Sequence, residues 1–214
     1  MKYYILVLSL FISSILVGQT QLEAFISPTL TNDIYQTPTS QSSKVDSKYN
    51  FGFDVGLGFR NYFNKRMTLG CGINYSKMGY GFDIELNGIN RSYNLERYFW
   101  EVPVLFDVFI GNKRKIAFNL NLIYQFFIKE NSNFDEYVYG TDSPTDITRK
   151  LNLAIQSGFT YQLDIYKMFK IRLNPFIKMA LPSQQIDYTT SGYPVYRQDW
   201  SIGLKTSMVL DIIN

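Results

Sequence analysis

Asp54, Arg60, Glu101, Asp107, Arg172, Lys178, Lys205 and Asp211 are the residues of this sequence whose chemistry most needs an account. Each stands in an alternating run, opposite a row of large apolar side chains. Acids and bases gathered away from water must pair, because an isolated ion in a low dielectric is costly. Their placement predicts a salt-bridge network with Glu101 near its centre and Arg172, Lys178 or Lys205 as its partners. A network of this kind can simply fill space. The functional alternative is a relay for protons or ions.

Other chemistry is narrowed by what the chain lacks. It has 214 residues, no His and a single cysteine, Cys71. A zinc site of Cys and His, a Ser-His-Asp triad and a Cys–His pair are excluded, as is an intramolecular disulfide. Asp135, Glu136, Asp142 and Asp146 offer oxygens to calcium, but their spacing matches no EF-hand loop, and a solvated acidic loop is the plainer reading. No two carboxylates can be singled out for glycoside hydrolysis. No catalytic residue, metal ligand or cofactor is expected. The net charge of +3 is small and the basic residues are dispersed, so no nucleic-acid partner is expected either.

Strands must position the charged residues. Phe51, Phe53, Val55, Leu57 and Phe59 alternate with Gly52, Asp54, Gly56, Gly58 and Arg60. Successive side chains of a strand point to opposite faces, so Asn50 to Tyr62 has one face of hydrocarbon and one of glycine and ions. After a turn at Asn64-Lys65-Arg66, Met67 to Gly79 returns with Leu69, Cys71, Ile73 and Tyr75 opposite Gly70, Gly72, Asn74 and Ser76. Leu22 to Thr29, ended by Pro28, is the weakest strand candidate, and Leu30 to Tyr49 reads as a polar loop. Leu95 to Ile110 sets Tyr98, Trp100, Val102 and Val104 against Glu101, Pro103, Leu105 and Asp107. Pro103 cannot donate to a ladder, so a bulge or local break is predicted there. A helix over Leu95 to Trp100 is the competing reading. Residues 116–128, 151–165, 171–181 and 199–213 alternate in the same way, and the last two runs carry Arg172, Lys178, Lys205 and Asp211.

The count is about eight strands of roughly 9–15 residues, long enough to cross a bilayer when tilted. Long polar connections (30–49, 80–94, 129–150, 183–198) interleave with short turns (63–66, 111–114, 166–170). Phe82, Ile84 and Leu86 alternate within 80–94, which lets the flanking strands run on as a hairpin. The pattern predicts an all-β fold, an eight-stranded antiparallel up-and-down transmembrane β-barrel, with acyl chains outside and ions within. A barrel this narrow is filled by side chains and has no open pore. A soluble barrel such as a lipocalin is the alternative, but needs a more polar outward face.

Charged residues make up 18% of the chain, while Tyr and Phe stand at 17 each, which is lean in charge and rich in strand formers. Met1 to Thr20 reads as a secretory signal, with Lys2 at its start, an apolar core from Ile5 to Val17 and Gly18 for cleavage; residues 21–214 form the barrel domain. An uncleaved anchor is disfavoured by the short apolar core. Tyr62, Phe63, Trp100, Tyr166, Phe169 and Trp200 are girdle candidates. Lys65, Arg66, Lys113, Arg114, Lys115, Lys167 and Lys170 gather at the short-turn end, where lipid head groups or turn solubility account for them equally.

The chain resembles the PorT-like outer-membrane β-barrel proteins of Bacteroidota. The resemblance spans the mature chain and rests on Phe51 to Arg60, on Gly70-Cys71-Gly72-Ile73-Asn74-Tyr75-Ser76-Lys77-Met78-Gly79, on Trp100-Glu101-Val102-Pro103-Val104-Leu105 and on Asn174-Pro175-Phe176. It implies a location in the cell outer membrane, with outer membrane lipid as the surrounding partner and an envelope protein as a further one. The named member of that family takes part in protein secretion across the outer membrane. Three roles follow as expectations. The first is a non-enzymatic barrel acting structurally or through extracellular loops. The second is an accessory subunit of a secretion or transport complex. The third, a lipid-modifying enzyme, would need an unusual base in the absence of His.

Overall fold

The computed structural model describes residues 19–36, 44–62, 64–86, 89–111, 113–132, 151–181 and 196–212. Nine strands run along them: β1 (Thr20–Gln36), β2 (Lys44–Lys48), β3 (Asn50–Tyr62), β4 (Met67–Leu86), β5 (Ile89–Ile110), β6 (Ile116–Ser132), β7 (Leu151–Asp164), β8 (Phe169–Ala180) and β9 (Tyr196–Ile212). Every pairing is antiparallel. The order β4-β3-β1-β9-β8-β7-β6-β5 is closed by β4 on β5, so eight strands form a barrel. The short β2 continues the line of β3 and pairs with Gly81 to Glu85 at the far end of β4.

Alternation decides which side of each strand faces out. Phe51, Val55 and Leu57 are 59%, 44% and 62% exposed, whereas Asp54 and Arg60 are buried at 5% and 3%. The apolar face therefore looks away from the barrel and the ions look in. Leu69, Ile73, Val102, Val104, Leu120, Leu122, Ile177 and Ile202 carry the same exposed coat around the ring.

The glycines of β3 and β4 meet on the inner side. Gly56 lies opposite Asn74, and Gly58 opposite Gly72. A Cβ on Gly56 would fall 2.5 Å from Asn74 Cβ and 2.5 Å from the carbonyl oxygen of Ile73, so only hydrogen fits there.

Three prolines interrupt the sheet, each on one side only. Pro103 stays paired with Ile123 of β6. Opposite it on β4, pairing lapses between Cys71–Val104 and Asn74–Glu101. Pro175 likewise keeps Leu204 of β9 but loses β7, and Pro28 keeps Phe53 of β3 but loses β9. A residue without an N–H forfeits the ladder on the side its N–H would have faced. The break expected at Pro103 is thus a lapse against β4. The register shift in β5–β6 lies at Tyr98/Phe99 instead.

Several sequence expectations are corrected in extent. Pro28 does not end the first strand: β1 runs eight residues further, to Gln36. The stretch 30–49, read as a loop, is strand from Leu30 to Gln36 and again from Lys44 to Lys48. As the alternation of Phe82, Ile84 and Leu86 predicts, β4 and β5 run on to Leu86 and Ile89, which pair with each other as a long hairpin. Residues 95–100 are strand, as the main reading of 95–110 has it, and the competing helix is absent there. The acidic positions Asp135, Glu136, Asp142 and Asp146, the girdle candidate Phe63 and residues 1–18 of the stretch read as a signal lie outside the described residues, while Thr20, placed at the end of that stretch, begins β1. Among the described residues no helix is long and apolar enough to cross a membrane, a criterion that does not bear on a barrel.

Candidate functional site: an ion-paired lumen

All eight of the charged residues singled out from the sequence point to the inner side, and they fall into separate groups. Nearer the long-loop end, Lys178 of β8 reaches across the barrel. Its Nζ lies 3.2 Å from Asp54 Oδ2 of β3 and 3.1 Å from Glu101 Oε1 of β5. Ser76 Oγ donates to Asp54 Oδ1 at 2.6 Å, and Asn74 Nδ2 and Gln125 Nε2 donate to the two oxygens of Glu101, each at 2.6 Å. Glu101 is fully buried, and all three ions of this group are satisfied from several strands.

Nearer the short turns, Arg60 bridges two acids. Its Nε lies 2.9 Å from Glu23 Oε2 and its Nη1 2.7 Å from Asp107 Oδ2. Asp107 also accepts from Thr68 Oγ1 at 3.1 Å and from Asn119 Nδ2 at 2.6 Å. Glu23 also meets Lys205 Nζ at 3.0 Å and accepts from Ser207 Oγ. Arg172 donates to Gln162 and Gln21, with Nη1 3.8 Å from Asp107. Asp211 sits apart at the turn-end mouth, held by Lys170 at 2.6 Å and by Gln21 Nε2 at 2.6 Å. Of the partners expected for Glu101, therefore, only Lys178 meets it. Arg172 and Lys205 belong to the second group.

Two members are absent from the sequence list. Glu23 is 2% exposed and joins Arg60 to Lys205. Its signal is the inward parity of the first strand, where Glu23, Phe25 and Ser27 alternate with Leu22, Ala24 and Ile26. Arg97, on the same side of β5 as Glu101, meets Glu130 at 2.7 Å and Asp199 at 3.6 Å near the loop end.

Apolar layers separate these groups. Met78, Tyr80, Leu95 and Phe99 are buried towards the loop end, Phe25, Leu105, Ile123 and Phe176 at mid-height, and Phe109, Ala117 and Val209 towards the turns. Tyr62, a girdle candidate, instead turns inward and stacks on Phe109 with ring centroids 5.7 Å apart. A cavity of about 10 Å³ remains between the two main ion groups, lined by Asp54, Asn74, Leu105, Asn121, Gln156 and Lys205 among others. Asn74 Oδ1 and Asn121 Oδ1 are both buried there without a hydrogen-bond partner. That volume suits about one water and no solute.

On the outer surface, beyond the Tyr75 and Trp100 rings towards the loop end, Lys77 Nζ meets Glu96 Oε1 at 2.5 Å, and Tyr98 OH donates to Glu96 Oε2 at 2.7 Å. The hydrogen bond from Lys77 holds the Glu96 carboxyl below its ordinary value, and that from Tyr98 adds to the effect. Just below, Trp100 and Tyr75 pack edge to face at 5.6 Å, and Trp200 does the same with Tyr49 at 5.6 Å. Tyr166 and Phe169 are exposed at the opposite rim. No group of three or more possible metal ligands occurs among the described residues.

Solved barrels of similar outline include the outer membrane protein OprG from Pseudomonas aeruginosa, at 10% identity and a TM-score of 0.49, covering 91% of this chain and 97% of that one. Neisserial surface protein A stands at 11% identity and a TM-score of 0.41, covering 87% and 95%. The outer membrane protease OmpT from Escherichia coli stands at 6% identity and a TM-score of 0.46, covering 92% and 97%. No curated protein matches the chain. The family model described as outer membrane protein beta-barrel domain matches residues 19–182, most of the barrel whose closure and lipid-facing coat are described above. The chain belongs to that outer-membrane β-barrel family and resides in the outer membrane.

Proposed function

We propose that this barrel is a non-enzymatic, non-conducting outer-membrane protein whose role is carried by its extracellular end. The observation that carries this reading is the filling of the lumen. Lys178 ties Asp54 to Glu101 across the interior, Arg60 ties Glu23 to Asp107, and apolar layers lie above, between and below. A solute or ion would have to break these pairs to pass. Among the described residues, the lumen carboxylates Glu23, Asp54, Glu101, Asp107 and Asp211 are all engaged by cations, amides or hydroxyls, which speaks against their serving as a general base. In this reading the network is structural filling, and a relay role is the lesser one.

The extracellular end offers the larger surface. β4 and β5 have 20 and 22 residues, whereas roughly 9–11 suffice to span a bilayer. Their outer halves, with β2 alongside, form a three-stranded flap above the membrane. Such a flap favours contact with a protein or a surface outside the cell. It also keeps open the second reading, an accessory subunit of a secretion or transport complex, which the resemblance to PorT-like barrels supports.

Liposome swelling tests the sealed lumen. Vesicles carrying the refolded protein are expected to admit small sugars no faster than empty ones, and faster entry would defeat the reading. Mild-detergent purification from native membranes separates the two roles: a stable stoichiometric companion favours the accessory subunit.

A further inference from the structure

The short-turn end carries a built cationic platform. Arg114 has a φ of 51°, in the left-handed region that a non-glycine residue rarely adopts. In that conformation its guanidinium stacks 4.5 Å over the Tyr62 ring. It also donates to the carbonyl of Lys65 at 2.9 Å and to Gln19 Oε1 at 3.2 Å. One side chain thereby fastens the β5–β6 turn to the β3–β4 turn. The result is that Lys65, Arg66, Lys113 and Lys115 project, exposed, from two turns held side by side. Among the described residues none of them meets a carboxylate. Of the acids at this rim, Asp211 is matched by Lys170 at 2.6 Å, and Asp164, exposed at the end of β7 opposite Lys170, accepts from Gln162 at 3.4 Å. Fastening like charges together costs free energy in water, and an anion bound between them reverses the sign.

The platform also lies at a definite depth. Short turns of such barrels face the periplasm. The lipid-facing coat runs right up to them, with Ile110 58% and Ile116 45% exposed immediately beside the β5–β6 turn. The cations therefore stand where acyl chains give way to head groups.

We propose that the turns 64–66 and 113–115 form a binding platform for anionic phospholipid head groups of the periplasmic leaflet, fastened by Arg114. Lys and Arg recognise the head-group phosphate as donors and point charges, and several basic side chains at one level add their attractions. The apolar coat holds the barrel at the depth where that phosphate lies. An acidic periplasmic protein would satisfy the charge but not the continuity with the acyl-facing coat.

The test uses the full mature chain refolded into vesicles of equal phosphatidylcholine and phosphatidylglycerol. The barrel is then released into mild detergent, and the lipids it retains are counted by native mass spectrometry. The wild type is expected to retain phosphatidylglycerol over phosphatidylcholine by on the order of ten-fold. The K65Q/R66Q/K113Q/K115Q variant, with its heat-modifiable gel shift intact, is expected to fall to near parity. R114A keeps those four cations but frees the two turns, and is expected to lie between. If the quadruple variant fails to fold, K113Q/K115Q alone should still lose several-fold. Equal retention by the wild type, or an unchanged preference in the variants, would overturn the proposal. So would displacement of the lipid by millimolar inorganic phosphate, which would mark a free-anion site.

Discussion

Lys178 and Glu101 stand on β8 and β5, three strands apart around the ring, and their side chains meet at 3.1 Å inside the barrel. No backbone ladder joins those two strands. The contact, shared with Asp54, ties the wall together across the lumen.

Replacing Lys178 with Met leaves two buried carboxylates facing one another. Unfolding by denaturant in detergent micelles should show a loss of about 3–5 kcal/mol. The triple variant D54N/E101Q/K178M removes the charges together and should recover much of that loss. E101A should also lower stability. Unchanged unfolding in K178M would mean that the triad is not holding the wall.

Two glycines of β3 should respond differently to alanine. A Cβ at Gly56 meets Asn74 and the Ile73 carbonyl at 2.5 Å, so Gly56→Ala is expected to cost about 1–3 kcal/mol through overpacking. At Gly58 the nearest atoms are Leu105 Cδ1 at 3.4 Å and Glu23 Oε2 at 3.5 Å, ordinary contact distances. Gly58→Ala is expected to be neutral or slightly stabilising, since alanine loses less conformational freedom. Equal effects at the two sites would count against the described packing of β3 on β4.

How much of this was readable in the sequence depended on how local the signal was. β3 was legible to its ends because five large apolar residues alternate without exception with glycines and ions, and a lipid-facing wall demands that regularity. The inward direction of Asp54, Glu101 and Lys178 followed from parity alone. Their partners did not, because parity gives a side of the wall and not a height or a position around the ring. Lys205 was matched to Glu101 in expectation but reaches Glu23, since strand tilt sets which residues face each other across the lumen. Pro28 hid half of β1: its missing N–H costs pairing with β9 only, while the ladder to β3 runs through. The basic residues of both turns and their place at the short-turn end were legible, but the fastening by Arg114 was not, because a left-handed residue and a contact between separate turns leave no local pattern.

We propose that removal of the signal expected from the sequence leaves Gln19 as the first residue. Thr20 and Gln21 are buried in the barrel, and the Gln19 carbonyl accepts from the Tyr62 N–H at 3.1 Å. Cleavage after Gly18 preserves the contacts of Gln19 and Thr20, whereas cleavage after Thr20 removes them. Intact mass of the membrane-extracted protein distinguishes the two.

Glu96 should contribute to stability in a pH-dependent way. Its folded-state value is depressed by the Lys77 hydrogen bond, so its contribution is present above the unfolded carboxylate value and is lost as pH falls through the folded one. Because the pair is solvent-exposed, the effect is a few tenths of a kcal/mol. E96Q should be slightly less stable than wild type at neutral pH and equal to it in acid. A gap that persists in acid would contradict the assignment.

The cavity between the ion groups should hold an ordered water. Asn74 Oδ1 and Asn121 Oδ1 are buried acceptors without donors, and both residues line it. A high-resolution map should show density within hydrogen-bond reach of both oxygens. Empty density with unchanged amides would contradict this.

Which side of the wall faces lipid is the claim on which all the others depend. In a W100F/W200F background, a single tryptophan is placed by Leu57→Trp on the exposed coat or by Phe25→Trp in the buried interior. The barrel is then refolded into bilayers with brominated acyl chains. Strong quenching at 57 and weak quenching at 25 is the predicted result. Strong quenching at 25 with none at 57 would turn the barrel inside out.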